Sequence, residues 1–302
     1  MKKLTHPTCP LASRRCSAHP FGPFAKTLVG LVSVFTLTTL AHATVLLSEN
    51  FDNLTTGDLN GQNSWTADTG LDVVASGQSY SNGSLTISGG ANSAQSSNVS
   101  SAVTAPLATK SFASQSGEIW MSFTLSISNT ANADRYWFWL SDTTNINSGF
   151  TAAIGDTNSG TKSLYTETRI NTTAITGPQT NITEGQTVFL VARLSKDGAA
   201  TDTDAYDRVE LWVNPLSTTL GSASSSVDRT NSSFTGGVVS FGLTALGGTP
   251  TLQWDNLLVG TTQADVLNVY AIPEPSTFAA LGGAAALGLA ILYRRHPRRH
   301  LA

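Results

Sequence analysis

Two short runs hold the residues best suited to chemistry. The first is Asp202-Thr203-Asp204-Ala205-Tyr206-Asp207, three carboxylates in six residues, with Glu210 three positions further on. Oxygen-rich loops of this type hold Ca2+, so Asp202, Asp204 and Asp207 are the candidate ligands. Their spacing matches no EF-hand and lacks its glycine turn, and a solvated loop is the plainer reading. The second run is Tyr136-Trp137-Phe138-Trp139, the densest aromatic stretch. On a strand, Tyr136 and Phe138 face one way and Trp137 and Trp139 the other. One pair is expected in a core. A sugar-stacking platform is the functional alternative, and Trp137 and Trp139 are its candidates.

What is missing narrows the chemistry further. The five His are His6, His19, His42, His296 and His300, and the two Cys are Cys9 and Cys16. From Thr44 to Tyr293 there is neither. That excludes Ser-His-Asp and Cys-His catalysis, His- or Cys-based zinc sites and disulfides from the body of the chain. Glycoside hydrolysis needs two carboxylates about 5–10 Å apart. Glu118, Glu167 and Glu210 each lack an acidic neighbour at a spacing that one strand would bring together.

Charged residues make up 12% of the 302, about half the usual share of a soluble domain. The charge is also segregated. Lys2, Lys3, Arg14, Arg15 and Lys26 precede Thr44, and Arg294, Arg295, Arg298 and Arg299 end the chain. The stretch between holds eight basic residues against all 20 Asp and Glu, a deficit that the formal net charge of −3 conceals. An acidic body of this kind does not bind nucleic acid by neutralising phosphates.

Both ends read as addresses. Residues 1–43 combine a basic region, the apolar run Thr27–Leu40 and the Ala41-His42-Ala43 site. This is the pattern of a secretory signal peptide, which implies the Sec machinery and a signal peptidase cutting after Ala43. Residues 271–302 contain Pro273-Glu274-Pro275, an apolar run over 278–293, and the Arg-rich tail 294–302. The apolar run is just under the usual length of a transmembrane helix, and the arginines behind it place the tail in the cytoplasm. Proline-Glu-proline, a short small-residue helix and a terminal Arg cluster, in that order, resemble the PEP-CTERM sorting signal of Gram-negative bacteria. The resemblance implies an exosortase that recognises Pro273, Glu274 and Pro275, with Arg294 and Arg295 as the stop signal. It further implies an exopolysaccharide or biofilm setting.

Between these ends, residues 44–270 read as a single all-β domain. Ser84–Ile87, Ile119–Ile127, Tyr136–Leu140, Val188–Leu194, Arg208–Val213 and Gly237–Leu243 are strand-like runs separated by turn residues. Several alternate apolar and polar, which predicts one buried and one wet face. Glu118 to Ser128 is the clearest case. The opening Phe51–Trp65, the late Asp207–Pro215 and the closing Leu252–Thr262 resemble concanavalin A-like (LamG-type) jelly rolls. The resemblance implies a β-sandwich whose closing strand pairs beside the opening one, with carbohydrate or matrix binding as the usual role. The Glu-x-Asp-x-x-Glu string of jelly-roll glucanases does not occur.

The expectation is therefore an exported, exosortase-sorted surface or matrix protein, held in the membrane by its C-terminal helix before processing. Its β-sandwich is expected to be non-catalytic and to bind extracellular polysaccharide or serve structurally. The alternative is a carboxylate-dependent glycoside hydrolase or lyase.

Overall fold

The computed structural model describes residues 44–96, 107–128, 135–147, 149–156, 162–197, 204–246 and 251–267. The signal-cleavage residues Ala41 and Ala43, the sorting motif 273–275, the apolar run 278–293, the tail 294–302 and Asp202 lie outside them. Among the described residues no helix is long and apolar enough to cross a membrane.

The described chain is built from strands. The first seven are short: β1 (Val45–Glu49), β2 (Gly57–Asp58), β3 (Thr66–Ala67), β4 (Leu71–Val74), β5 (Tyr80–Ser81), β6 (Thr86–Ile87) and β7 (Ser93–Ser96). Longer ones follow: β8 (Ala108–Gln115), β9 (Ile119–Ser128), β10 (Arg135–Ser141), β11 (Phe150–Asp156), β12 (Ser163–Ile170) and β13 (Thr173–Asn181). The last five are β14 (Val188–Ser195), β15 (Arg208–Val213), β16 (Ser225–Asp228), β17 (Val238–Leu246) and β18 (Thr251–Gly260), with a short helix α1 (Gln263–Leu267) after them.

Apart from β5 and β6, which pair with each other, these strands form two antiparallel sheets. The first has the order β16-β15-β14-β9-β18-β7-β4-β2, with β1 also paired to β18. The second runs β13-β12-β11-β10-β17-β8-β3. The opening and closing strands pair, Val45 opposite Gly260 and Glu49 opposite Leu257, as the jelly-roll resemblance implies. Both sheets turn alternate apolar residues inward. Phe123 meets Phe138 at 4.6 Å between ring centroids, and Trp254 lies edge-on to Phe138 at 6.0 Å. Trp65 and Trp254 belong to this core as well. Each such ring adds about 1.5–3 kcal/mol by leaving water.

The prediction that β9 has a wet face needs correction. Ser122 and Thr124 point away from the core yet are fully buried. A second apolar layer covers that face: the β5–β6 hairpin brings Leu85 and Ile87, and α1 brings Val266 and Leu267, onto Trp120, Phe189, Val191, Trp212 and Leu258. The hydroxyls on β9 anchor this cover. Ser122 Oγ donates to the Val266 carbonyl at 2.9 Å, and Thr124 Oγ1 lies 3.2 Å from the Gln78 carbonyl. Alternation thus marks a strand covered on both sides, because its polar residues hold the covering segments instead of water.

The outer face of the second sheet is arranged differently. β10 is again the alternating strand, with Tyr136, Phe138 and Leu140 in the main core and Trp137 and Trp139 outside it.

Candidate functional site on the outer face of the second sheet

The site is assembled by register across three strands. Trp137 on β10 lies opposite Gly155 on β11, which lies opposite Tyr165 on β12. One row along, Trp139 faces Ala153, and Ala153 faces Glu167; Thr151 and Arg169 share the next row. Period two along β12 therefore puts Tyr165, Glu167 and Arg169 on the same outer face as the two tryptophans.

Glycine makes room for the rings at two points. A Cβ on Gly155 would stand 2.5 Å from the Tyr165 ring, and one on Gly242 would stand 2.1 Å from the Trp139 ring. Tyr165 and Trp139 can therefore lie against the sheet only because these backbone positions carry no side chain.

The polar groups form a closed circuit. Trp137 Nε1 donates to Glu167 Oε2 at 3.2 Å, and Arg169 Nε donates to Glu167 Oε1 at 2.6 Å. The Arg169 guanidinium also lies over the Trp137 ring, 5.4 Å from its centroid, and its Nη1 donates to Asn147 Oδ1 at 2.7 Å. Trp139 Nε1 donates to Thr244 Oγ1 at 3.0 Å. Burial pushes the Tyr165 hydroxyl up to about 12 and the Glu167 charge adds to this, while the Trp137 hydrogen bond and the charges of Arg135 and Arg169 pull it back. Tyr165 is thus a protonated donor at neutral pH.

Trp137 and Trp139 do sit side by side on one face, but they do not form an open platform. Trp137 is 6% and Trp139 0% exposed. Ile146, itself 1% exposed, joins them and Ala153 in one buried apolar cluster. A stacking surface here is therefore covered by the chain itself.

The acidic run divides. Asp204 is exposed, whereas Asp207 is buried. The Asp207 amide donates to the Ser195 carbonyl at 3.2 Å and its carbonyl accepts from the Arg229 amide at 2.8 Å. Among the described residues no group of three His, Cys, Asp or Glu is placed to hold a metal. Asp202, the third candidate, lies outside the described residues.

Sequence reasoning treated Glu167 as an isolated acid and passed over Tyr165 and Arg169. The available signal was their i, i+2, i+4 spacing, but the partner that gives it meaning, Trp137, lies two strands away. On the outward positions of this sheet's described strands Glu167 is the one carboxylate, and both its oxygens are occupied. A separate cavity of about 430 Å3, lined by Ser48, Glu49, Asn50, Asn53, Asn63 and Asn256, lies elsewhere. Its acid is also engaged: Glu49 Oε2 accepts from Asn63, Trp65 and Lys110.

No protein-family model matches the chain, and no curated protein matches it. Among solved structures it is similar to an endo-β-1,4-glucuronan lyase from the fungus Trichoderma reesei, at 15% identity and TM-score 0.47, over 76% of this chain and 100% of that one. It is also similar to a glycosyl hydrolase family 16 protein from Mycobacterium smegmatis, at 11% identity and TM-score 0.41, over 72% and 100% of the two chains. A third similarity is to the Emp47p carbohydrate recognition domain, at 10% identity and TM-score 0.39, over 74% and 98%. All three scores are below one half, so the fold is read from the chain's own strand order.

Proposed function

We propose that the body is a non-catalytic, carbohydrate-binding β-sandwich of the concanavalin A-like kind, and that its contact surface is the outer face of the second sheet. The observation that carries this is the cluster of Trp137, Tyr165, Glu167 and Arg169. It combines aromatic rings with oriented N–H and O–H donors, the combination that fixes a sugar ring. The same cluster argues against hydrolysis, which needs a second free carboxylate. Glu167 has no acidic partner on these strands and serves to hold Arg169 and Trp137.

A lyase is the second reading, favoured by the placement of Tyr165 within the field of Arg135 and Arg169. Its weakness is that a hydroxyl pushed up to about 12 by burial is a poor base at neutral pH. The test is isothermal titration of the full mature chain, and of its Arg169→Ala variant, against a panel of neutral and uronate polysaccharides, with product analysis of the same mixtures. Binding lost in Arg169→Ala with no new reducing or unsaturated ends supports the proposal. Turnover abolished by Tyr165→Phe would establish the lyase instead.

We place this domain on an exported protein sorted through Pro273-Glu274-Pro275, with the membrane run 278–293 as a temporary anchor and exosortase as the processing partner. The support is the order of motif, apolar run and Arg cluster behind an N-terminal export signal. Replacing Pro273, Glu274 and Pro275 by alanine should leave the unprocessed precursor in the membrane fraction. Unchanged processing would refute the assignment.

A further inference from the structure

We infer that segment 142–147 is a built-in plug, in which Ile146 occupies the position that the apolar face of a pyranose ring would take on Trp137 and Trp139. This rests on the carbohydrate-binding reading and adds to it a covered subsite and the contact that opens it.

Three observations converge. First, Trp137, Trp139, Ile146 and Ala153 form an apolar cluster of their own, apart from the core between the sheets and on its far side. The fold already has its inward core at Tyr136, Phe138 and Leu140. The outer tryptophans are therefore additional to what packs the two sheets together. Second, the benzene ring of Trp139 lies over Gly242, and its N–H is bound sideways to Thr244. It is held against the sheet, and the ring is fully buried. Third, Ile146 comes from a segment that is otherwise polar. Asp142-Thr143-Thr144-Asn145-Ile146-Asn147 contains one apolar side chain, and that one is buried with the tryptophans.

The start of the segment is fixed, since Ser240 Oγ donates to the Thr143 carbonyl and the Phe150 amide donates to Asp142 Oδ1 at 2.8 Å, whereas Ile146 and Asn147 at its far end are held by contacts of a kind that a ligand can replace. The Ile146 carbonyl accepts from Thr151 Oγ1 at 3.2 Å, and Asn147 Oδ1 accepts from Arg169 Nη1 at 2.7 Å. A sugar oxygen that takes the Arg169 N–H competes directly with Asn147. The same ligand can then lay its apolar face where Ile146 stood. Arg169 thereby couples recognition of an acceptor oxygen to exposure of the stacking surface. The ligand class is a pyranose carrying an acceptor oxygen, a hydroxyl or a carboxylate, beside an apolar ring face.

If the closed form dominates, apparent affinity is reduced by the fraction of open molecules. The experiment compares full-length mature wild type, Ile146→Gly, Ile146→Leu and Asn147→Ala, using laminarin as the neutral probe and alginate as the uronate probe. Binding is followed by titration and tryptophan accessibility by acrylamide quenching. Ile146→Gly should bind one of the probes about tenfold tighter or more and quench more strongly. Asn147→Ala should shift the same way by less, and Ile146→Leu should behave as wild type. The probe that gains affinity distinguishes a hydroxyl from a carboxylate acceptor.

Should Ile146→Gly fail to fold, tighter binding by Asn147→Ala alone decides in favour of the plug. Binding that is present in wild type, lost in Arg169→Ala and unimproved in Ile146→Gly or Asn147→Ala overturns the plug while leaving the carbohydrate reading intact. Absence of binding in every variant, with quenching raised in Ile146→Gly, overturns both.

Discussion

Trp137 and Glu167 meet across an intervening strand: the indole N–H of one reaches a carboxylate oxygen of the other at 3.2 Å, although β11 runs between β10 and β12. Small residues on β11, Ala153 and Gly155, leave the path clear. With Arg169 on its second oxygen, Glu167 is the fixed point around which the outer face is organised.

Removing that acid should therefore cost more than losing its own contacts. Glu167→Ala leaves a largely buried guanidinium and an indole N–H without their acceptor, and should lower unfolding free energy by about 3 kcal/mol. Glu167→Gln keeps one acceptor and should cost about 1 kcal/mol. Urea denaturation of the two variants checks the order. Equal losses would mean that Glu167 fills space and does not organise charge.

Gly155 and Gly242 are predicted to resist substitution. A methyl group at either would overlap an aromatic ring, at 2.5 Å for Tyr165 and 2.1 Å for Trp139. Overpacking of this kind costs about 1–3 kcal/mol. Gly242→Ala should also change the near-ultraviolet circular dichroism, because Trp139 must leave its seat. A wild-type spectrum and melting point in Gly242→Ala would refute this seating of Trp139 over Gly242.

Asp255 supplies a pH dependence. Its carboxyl is pushed up from 3.8 to about 7, chiefly by burial, with the charges of Asp52 and Glu49 adding and the amides of Gln78 and Asn256 opposing. The folded chain holds this proton more tightly than the unfolded chain. Its contribution to stability is therefore complete below about pH 4 and declines as pH rises through about 7, at up to about 1.4 kcal/mol per pH unit. Chemical denaturation between pH 4 and 8 should show this fall, and Asp255→Asn should flatten it. A slope unchanged in Asp255→Asn would assign the effect to other groups.

Near the end of β14, between β15 and β9, Arg193 joins three acids: Glu210 at 2.7 Å, Asp197 at 2.6 Å and Glu118 at 3.8 Å. Its guanidinium also lies 5.8 Å from the Trp120 ring centroid. Glu118 and Asp197 are open to solvent, so the network is screened. Arg193→Met should cost no more than about 1 kcal/mol at low salt, and the difference should shrink in about 1 M salt. A large, salt-independent loss would instead point to the stem of Arg193 packing on Trp120.

Legibility in the sequence followed how local each feature is. Residues 119–127, 136–140, 188–194, 208–213 and 237–243 are strand-like runs, several of them alternating, and strands form at each. The central acceptors of the site were harder. β11, Phe-Thr-Ala-Ala-Ile-Gly-Asp, is small and weakly patterned, and β13 contains Gly177-Pro178, which reads as a turn. Pro178 is tolerated because β13 is an edge strand and its ladder shifts register at that point. Without β11 and β13, β12 has no position, and Glu167 and Arg169 have no partners to be inferred. The alternation of β10 did separate Trp137 and Trp139 from the core pair. That both would be covered depended on Ile146, a single apolar residue whose contact is set by the fold of a polar segment.

The place of β18 has a consequence for how the molecule is made. The last of the described strands is not at an edge: it lies between β9 on one side and β7 and β1 on the other. During synthesis the strands on either side of that gap exist long before the piece that joins them. Until residues 251–260 arrive, the first sheet is two fragments, each with an unpaired margin. Such margins recruit other chains, and pairings so distant in sequence form slowly. A chain interrupted before Thr251 should therefore be an aggregation-prone pair of half-sheets and not a slightly shortened sandwich.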